Sequence, residues 1–407
     1  MTIVRVLSNQ GSGRAFLETF SDQFGITVDP QAWSEAMRSP RRLALHQELC
    51  RLLRGPVSAG AGAWDVFADE PSLAGFDIWA GDGTYFEHAC HDPAIDGTKY
   101  ATPQFFVLNL RSHQLAHLTV GDQSQGRKKE HDMRALKRLT PQVLRQGAPA
   151  GRKVIMVWDR AGIDIAQWVK WKQAHGLYFV SRAKDNMNLT KQGNYSIADI
   201  PVNEGVEDDA VVYISSQAVR CVTYRCPLTN KVFRFLTVLP QSVPPGVVAA
   251  LYLARWDVEK CFDECKNKLE EGKSWATSPI AKTMQAESIC LAHNLLLLLE
   301  RKMAVEDGIH NPLEDKRRHK RLDQAITAVT KTRRKQNDGQ REQRTAKLEP
   351  KHRQRCAPIP ELLLRIKARA TVRTIRFIRW VRTNLSVNKP WEALLEQLRR
   401  RYVTGRT

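Results

Sequence analysis

Lys153–Gly162 reads KVIMVWDRAG, a continuous apolar run that ends in a carboxylate and a glycine-containing turn. A run of this kind, without polar alternation, is the pattern of a strand buried on both faces and therefore central in an α/β sheet. Side chains just past the end of such a strand project into the crevice above the sheet, which makes Asp159 a candidate functional carboxylate. An aspartate at that position can equally cap the turn that follows it.

The flanking segments extend this sheet. Upstream, FDIWAGDGTYFE alternates Phe76, Ile78 and Ala80 with Asp77 and Trp79, as a strand does, and places Asp82 between two glycines at or near the strand's end. Gly81 and Gly83 would let the backbone turn tightly and leave the carboxylate uncrowded, although an ordinary turn aspartate has the same setting. Gln104–Leu110 and Leu115–Val120 predict a hairpin around Arg111, Ser112 and His113, and Glu130–Leu139 predicts an amphipathic helix. Downstream, a helix through Trp168 and Trp171 ends at Gly176, and LYFVS follows as the next strand. Val211–Ser215, Val219–Tyr224 and Val232–Leu239 then read as strands that a minimal α/β core would not need, so residues 188–243 are taken as a β-rich insertion closed by Pro244, Pro245 and Gly246.

Next comes LYLARWDVEKCFDECKNKL, Leu251–Leu269, read as one helix. At about 100° per residue, Tyr252, Arg255, Glu259 and Lys266 fall at roughly 0, −60, −20 and −40° and share one stripe. Ala254, Val258, Cys261, Phe262, Cys265 and Leu269 form a separate apolar arc suited to a core. A phenol, a guanidinium, a carboxylate and an ammonium on one face suit a divalent metal beside a phosphate backbone, while a solvated charged face is the plainer alternative. Asp263 lies one turn beyond Glu259 as a competing carboxylate, whereas Asp257 points elsewhere. Trp256 sits at the edge of the stripe, either as a core residue or as a platform for an unpaired base.

Charge narrows the partner. The 407-residue chain carries a net charge of +20. From Arg301 onward there are 29 Lys+Arg against 11 Asp+Glu, and before it 34 against 32. Charge concentrated in one quarter of the chain implies a polyanionic partner, nucleic acid ahead of membrane. The most apolar stretch, Ile289–Leu299, contains His293 and Asn294 and reads as a buried helix, and no secretory signal is visible. The eight cysteines lack a framework spacing and read as reduced thiols. Neither His88, Cys90 and His91 nor His113 and His117 complete a four-ligand zinc pattern. Residues 1–70 are helix-leaning and basic, suiting an accessory helical domain that contacts DNA or serves packing. KRRHKR and the polar stretch to Arg355 read as a basic linker, and Leu362–Arg382 as a basic amphipathic helix.

The element order, three strands, helix, strand, helix, strand, β insertion, helix, resembles the ribonuclease H-like fold. Asp82 in GDGT, Asp159 in WDRAG, and Tyr252, Arg255, Glu259 and Lys266 with two, three and six residues between successive members resemble the DDE transposases of bacterial insertion sequences. The likeness is to the group with the YREK signature and a β-strand insertion in the catalytic domain, the insertion sequence four type, and it covers roughly residues 75–300. It implies an α/β, ribonuclease H-like catalytic domain in two parts, 71–187 and 244–305, interrupted by the insertion at 188–243. Helical regions flank it: residues 1–70, and residues 306–407 with the basic linker. It also implies that Asp82, Asp159 and Glu259 are catalytic metal ligands for two Mg²⁺ ions, with Mn²⁺ able to substitute, and that Tyr252, Arg255 and Lys266 grip DNA phosphates. The activity implied is metal-dependent cleavage at element ends and strand transfer into target DNA, by a homodimer on double-stranded DNA in the bacterial nucleoid, without a membrane. A structure-specific nuclease of the same fold and a catalytically silent DNA-binding descendant remain as alternatives.

Overall fold

The computed structural model describes residues 1–8, 10–59, 62–95, 97–121, 132–227, 229–309, 320–324, 326–327, 360–368 and 375–403. Nine strands form one sheet: β1 (Phe76–Phe86), β2 (Thr102–Asn109), β3 (Leu115–Val120), β4 (Lys153–Val157), β5 (Leu177–Arg182), β6 (Thr190–Asn194), β7 (Val206–Ile214), β8 (Gln217–Arg225) and β9 (Val232–Thr237). Their spatial order is β3-β2-β1-β4-β5-β9-β8-β7-β6. β1, β4 and β5 run parallel, and every other neighbouring pair is antiparallel. This mixed α/β architecture is compatible with the ribonuclease H-like arrangement expected from the sequence. β4 lies in its interior between β1 and β5, with Val154 through Val157 fully buried, because helices cover both faces.

The helices are α1 (Thr2–Ser8), α2 (Gly13–Phe24), α3 (Pro30–Met37), α4 (Pro40–Leu52), α5 (Arg54–Ala59), α6 (Asp132–Arg138), α7 (Pro141–Leu144), α8 (Ile165–His175), α9 (Pro245–Ala254), α10 (Trp256–Asp263) and α11 (Pro279–Glu306). Beyond them lie α12 (Glu361–Ala368), α13 (Ile375–Asn384) and α14 (Trp391–Val403). On one face α8 stacks Trp168 on Phe179 of β5, ring centroids 5.2 Å apart. On the other, α11 pins edge strand β3 through Asn294, whose side chain accepts from the Leu115 N–H and donates to its carbonyl. The N-terminal helices pack on α11 as well, where Phe16, Phe20 and Trp33 meet Ala281 and Met284.

The parallel register sets the functional geometry. Ala80 pairs with Val157 and Val157 with Val180, so Asp82 on β1 and Arg182 on β5, each two residues further along its strand, share one face, while Asp159 stands in the turn just past the end of β4. Equivalent positions in parallel strands point to one face. Arg182 pairs with Phe235 of β9, whose ring lies 5.1 Å from that of Tyr252, so this is the face that carries α9.

Several expectations need correction. Asp82 is not at a strand end: β1 continues to Phe86 because β2 still pairs with it, Asp82 lying opposite Phe106, after the β1–β4 pairing has stopped. Its glycine neighbour serves packing instead of turning, since a Cβ at Gly81 would come 1.8 Å from the Trp158 ring and one at Gly162 would come 2.1 Å from it. The expected helix Leu251–Leu269 is three pieces. It starts at Pro245, in the favoured N1 position, shows a tighter turn at Arg255, and ends in a π turn, Glu264–Lys268, with the Leu269 N–H donating to the Glu264 carbonyl. The wheel angle of Lys266 therefore does not follow uniform α geometry.

The strands expected at 211–239 are joined by a fourth, β6, which the polar sequence TKQGN conceals, and all four extend the central sheet. Leu362–Arg382 is not shown as one helix: α12 and α13 are separate, and residues 369–374 lie outside the described residues. The linker residues 328–359 lie outside them too.

Two contacts prepare α9. The Gly246 N–H donates to Asn203 Oδ1 at 3.0 Å, and a side chain at Gly246 would collide with the Val202 carbonyl. Arg220 on β8 forms a buried two-bond pair with Asp209 at 2.8 and 2.7 Å and donates to the carbonyls of Pro240 and Val243. At the far end of the π turn, Arg382 of α13 donates to the carbonyls of Lys268 and of Leu7 in α1. Beside it Glu271 is buried, accepts from Gln285 at 2.8 Å, and has its pKa pushed up to about 7 by burial. Arg5 lies over the Trp275 ring at 4.2 Å and is lowered to about 10, again by burial.

Gly81→Ala should cost about 3 kcal/mol or more by overpacking, with partial recovery when Trp158→Leu is added, measured by urea unfolding. Glu271 binds its proton more tightly in the folded than in the unfolded chain. Its stability contribution is therefore fully present below about pH 4.5 and is lost as pH rises through about 7. Glu271→Gln should flatten that part of the pH–stability curve by an amount on the order of 3 kcal/mol, read from unfolding midpoints across pH 4 to 8.

Candidate active site

Arg255 occupies the junction between α9 and α10, where the tighter turn aims its side chain back at the sheet. One terminal nitrogen donates to Asp82 Oδ2 and the other to Glu259 Oε1, each at 2.8 Å. A single guanidinium thus joins a sheet carboxylate to a helix carboxylate. The side-chain exposures are 7% for Arg255, 17% for Asp82 and 34% for Glu259. Burial alone would lower the Arg255 pKa; Asp82, Tyr252 and Glu259 more than reverse this and hold it above the ordinary arginine value. Charge-assisted bonds at this depth are strong, and removing the cation would leave two carboxylates facing one another.

Asp82 Oδ1 also accepts from the Gly83 N–H at 2.8 Å. Asp159 Oδ1 accepts from the Ala161 N–H at 2.7 Å, so it does cap the short turn Arg160–Gly162, and its carbonyl is held by the Ser181 hydroxyl. Capping, the plainer of the two readings of Asp159, is thus the one with a contact behind it. Tyr252 stands between the two halves of the site, with Arg255 5.7 Å from its ring centroid. Burial raises its phenol pKa, Arg255 opposes this, and the Asp159 carboxylate adds to the rise.

Trp256 corrects the default of a core tryptophan: it is 53% exposed, with the Arg255 guanidinium 5.7 Å from its ring centroid. Asp263 is exposed and accepts from Asn267 at 2.6 Å. It is Glu259 that the Arg255 fork reaches. Asp257 turns into the interior, paired with Lys260 at 2.9 Å and near His113 at 3.5 Å. Lys266 is not joined to the cluster by a hydrogen bond or ion pair among the described residues. It borders an apolar hollow with Phe86, Phe106 and Phe262, and burial lowers its pKa.

The structure thus gathers Asp82, Arg255, Glu259 and Tyr252, has Asp159 near enough to influence Tyr252, and leaves Lys266 apart. Among the described residues, no group of three or more His, Cys, Asp or Glu is close enough together to hold a metal ion as it stands. Six of the seven described cysteines are buried, Cys90 being exposed, and all seven are free. No described helix is long and apolar enough to cross a membrane.

Comparison with protein families now bears on this arrangement. Residues 81–295 match the family profile described as Transposase DDE domain, which is more than half of the 407 residues. The chain belongs to that family. The match begins beside Asp82 and takes in Asp159, the β strands to β9 and all of the α9–α10 segment. Membership makes the protein a transposase-family enzyme with DNA as its substrate. Comparison with curated proteins finds none that matches significantly.

Two features escaped the sequence reading. The bridging role of Arg255 depends on a turn inside a helix, which a uniform helical wheel does not show. Arg182 was legible as the residue after LYFVS, but its place on the face of Asp82 follows from register across three strands.

Proposed function

We propose that this chain is the transposase of a bacterial insertion sequence, cutting DNA at the element's ends and joining the freed 3′ ends to target DNA. The observation that carries this reading is the Asp82–Arg255–Glu259 bridge, with Asp159 in the turn just past the end of the neighbouring strand β4. The reading takes residues 71–187 and 244–305 as a ribonuclease H-like catalytic domain and 188–243 as its insertion. It takes 1–70 as an accessory helical domain and 306–407 as the basic C-terminal region.

In this reading Asp82, Asp159 and Glu259 are the catalytic carboxylates and hold Mg²⁺ or Mn²⁺. All three offer hard oxygen donors. Arg255, a cation already standing between Asp82 and Glu259, supports the fit, because these carboxylates are arranged to share positive charge. When bound, divalent ions would activate the attacking oxygen and stabilise the leaving one.

The remaining work falls to the chain's own groups. Arg255, Tyr252 and Lys266 grip backbone phosphates, which positions a strand without reading its sequence. The buried Arg255 keeps its charge because Asp82 and Glu259 compensate it, and exchanging one carboxylate for a phosphate would preserve that compensation. Trp256 presents an exposed indole beside Arg255 and suits stacking on a base displaced at the cut. A homodimer on DNA and a nucleoid-associated cytoplasmic location belong to the same reading and rest on the family.

A plasmid carrying the gene's own flanking DNA, incubated with purified protein and Mg²⁺, tests this directly. Cuts at the two borders are expected, and Glu259→Gln should reduce them by roughly a thousandfold or more. Nicking without regard to borders would instead make the enzyme a nuclease, and binding without cutting would make it a silent descendant. In the same assay Trp256→Ala should still bind duplex DNA but cut about tenfold more slowly; unchanged cutting would remove its stacking role.

A further inference from the structure

We propose that Arg182 is a further DNA-phosphate contact of this site, held in position by Phe233 of β9. The proposal rests on the reading of the site as one that binds DNA.

The first argument is position. Val157 pairs with Val180 as Ala80 pairs with Val157, and the Ser181 hydroxyl donates to the Asp159 carbonyl, so Arg182 follows directly on a residue that touches Asp159. β1 and β5 therefore carry Asp82 and Arg182 on one face of the sheet, with Asp159 in the turn just past β4 between them. A cation on the face of Asp82, one residue from a contact of Asp159, suits holding the phosphate next to the one being cut.

The second is support. The Arg182 guanidinium lies over the Phe233 ring, 5.1 Å from its centroid. Phe233 stacks on Phe235 at 6.0 Å, and Phe235 lies 5.1 Å from Tyr252. These three rings run from β9 to α9, with Arg182 at one end and Arg255 at the other. Arg182 is sensed electrostatically by the Tyr252 phenol, in agreement with this proximity.

The third is availability. The Arg182 side chain is 34% exposed, and its ion pair is with Asp185, 82% exposed, at 3.8 Å. Arg160 reaches the same carboxylate at 3.8 Å. A long pair this exposed is worth about 0–1 kcal/mol and yields readily to a phosphate. Phe233 gives the long arginine side chain a fixed lie, which lowers the ordering cost of the contact. The last strand before α9 would thus serve the site directly.

The test measures DNA binding by the full chain in the Glu259→Gln background, so that no probe is cut, using a border duplex and an unrelated duplex over a range of salt. Arg182→Ala should weaken binding to both by about tenfold and reduce the salt slope by about one. Arg182→Lys should restore most of the slope. Phe233→Ala should lose part of it and Phe233→Tyr none, with folding checked by thermal unfolding.

An unchanged slope in folded Arg182→Ala overturns the proposal, as does a wild-type protein that binds no DNA. A loss confined to the border duplex also overturns it, because a phosphate contact does not read sequence. Should the plasmid assay show no border cutting while Arg182 still sets the salt slope, the transposition reading fails and the phosphate contact stands.

Discussion

The Trp158 indole lies against two glycines, and that contact determines how closely β1, β4 and the turn after β4 can approach one another. Trp158 is buried on the face opposite the carboxylates, level with Gly81 across the β1–β4 register. A side chain at either glycine would push the strands or the turn apart, and Asp82 and Asp159 with them. Well-packed interiors do not absorb such volume, so a steric fit on one face of the sheet sets the spacing of charges on the other.

The charged face is governed by a different balance. Arg255 is buried enough that its ionised form would be costly alone, yet Asp82 and Glu259 bind it from two sides. Each carboxylate likewise has a reason to face its neighbour only because a cation lies between them. Helix and sheet are therefore joined by compensation of charge, while their hydrophobic contact, through Ala254, Val258 and Cys261, supplies the bulk of the attachment. β6 to β9 lengthen the sheet and also brace this helix, through Arg220, Asn203 and Phe235.

Much of this was legible in the sequence, for physical reasons that differ by element. β4 declared itself because a strand buried on both faces can hold only apolar residues, and KVIMVW does. Asp159 read as a candidate from its place just past β4, and Glu259 from its spacing on the helix. What stayed hidden depended on partners distant in the chain. Asp82 read as a strand end because Gly81 suggests a turn, whereas β2 carries the strand onward and Trp158 explains the glycine. β6 is polar and exposed at an edge, so no hydrophobic pattern marked it. The break at Arg255 and the π turn around Lys266 arise where tertiary contacts override a helical sequence, and a wheel of constant pitch cannot represent them.

The clamp at the end of the π turn has a bearing on how the molecule comes into being. Arg382 donates to the Lys268 carbonyl across 114 residues of sequence, and to the Leu7 carbonyl across 375. Chains are made from the N-terminus, and domains generally fold in that order. A nascent chain on the ribosome thus acquires α1 and all nine described strands before the arginine that fastens the π turn exists. Arg382 is a late-arriving brace that ties the π turn back to the first helix made.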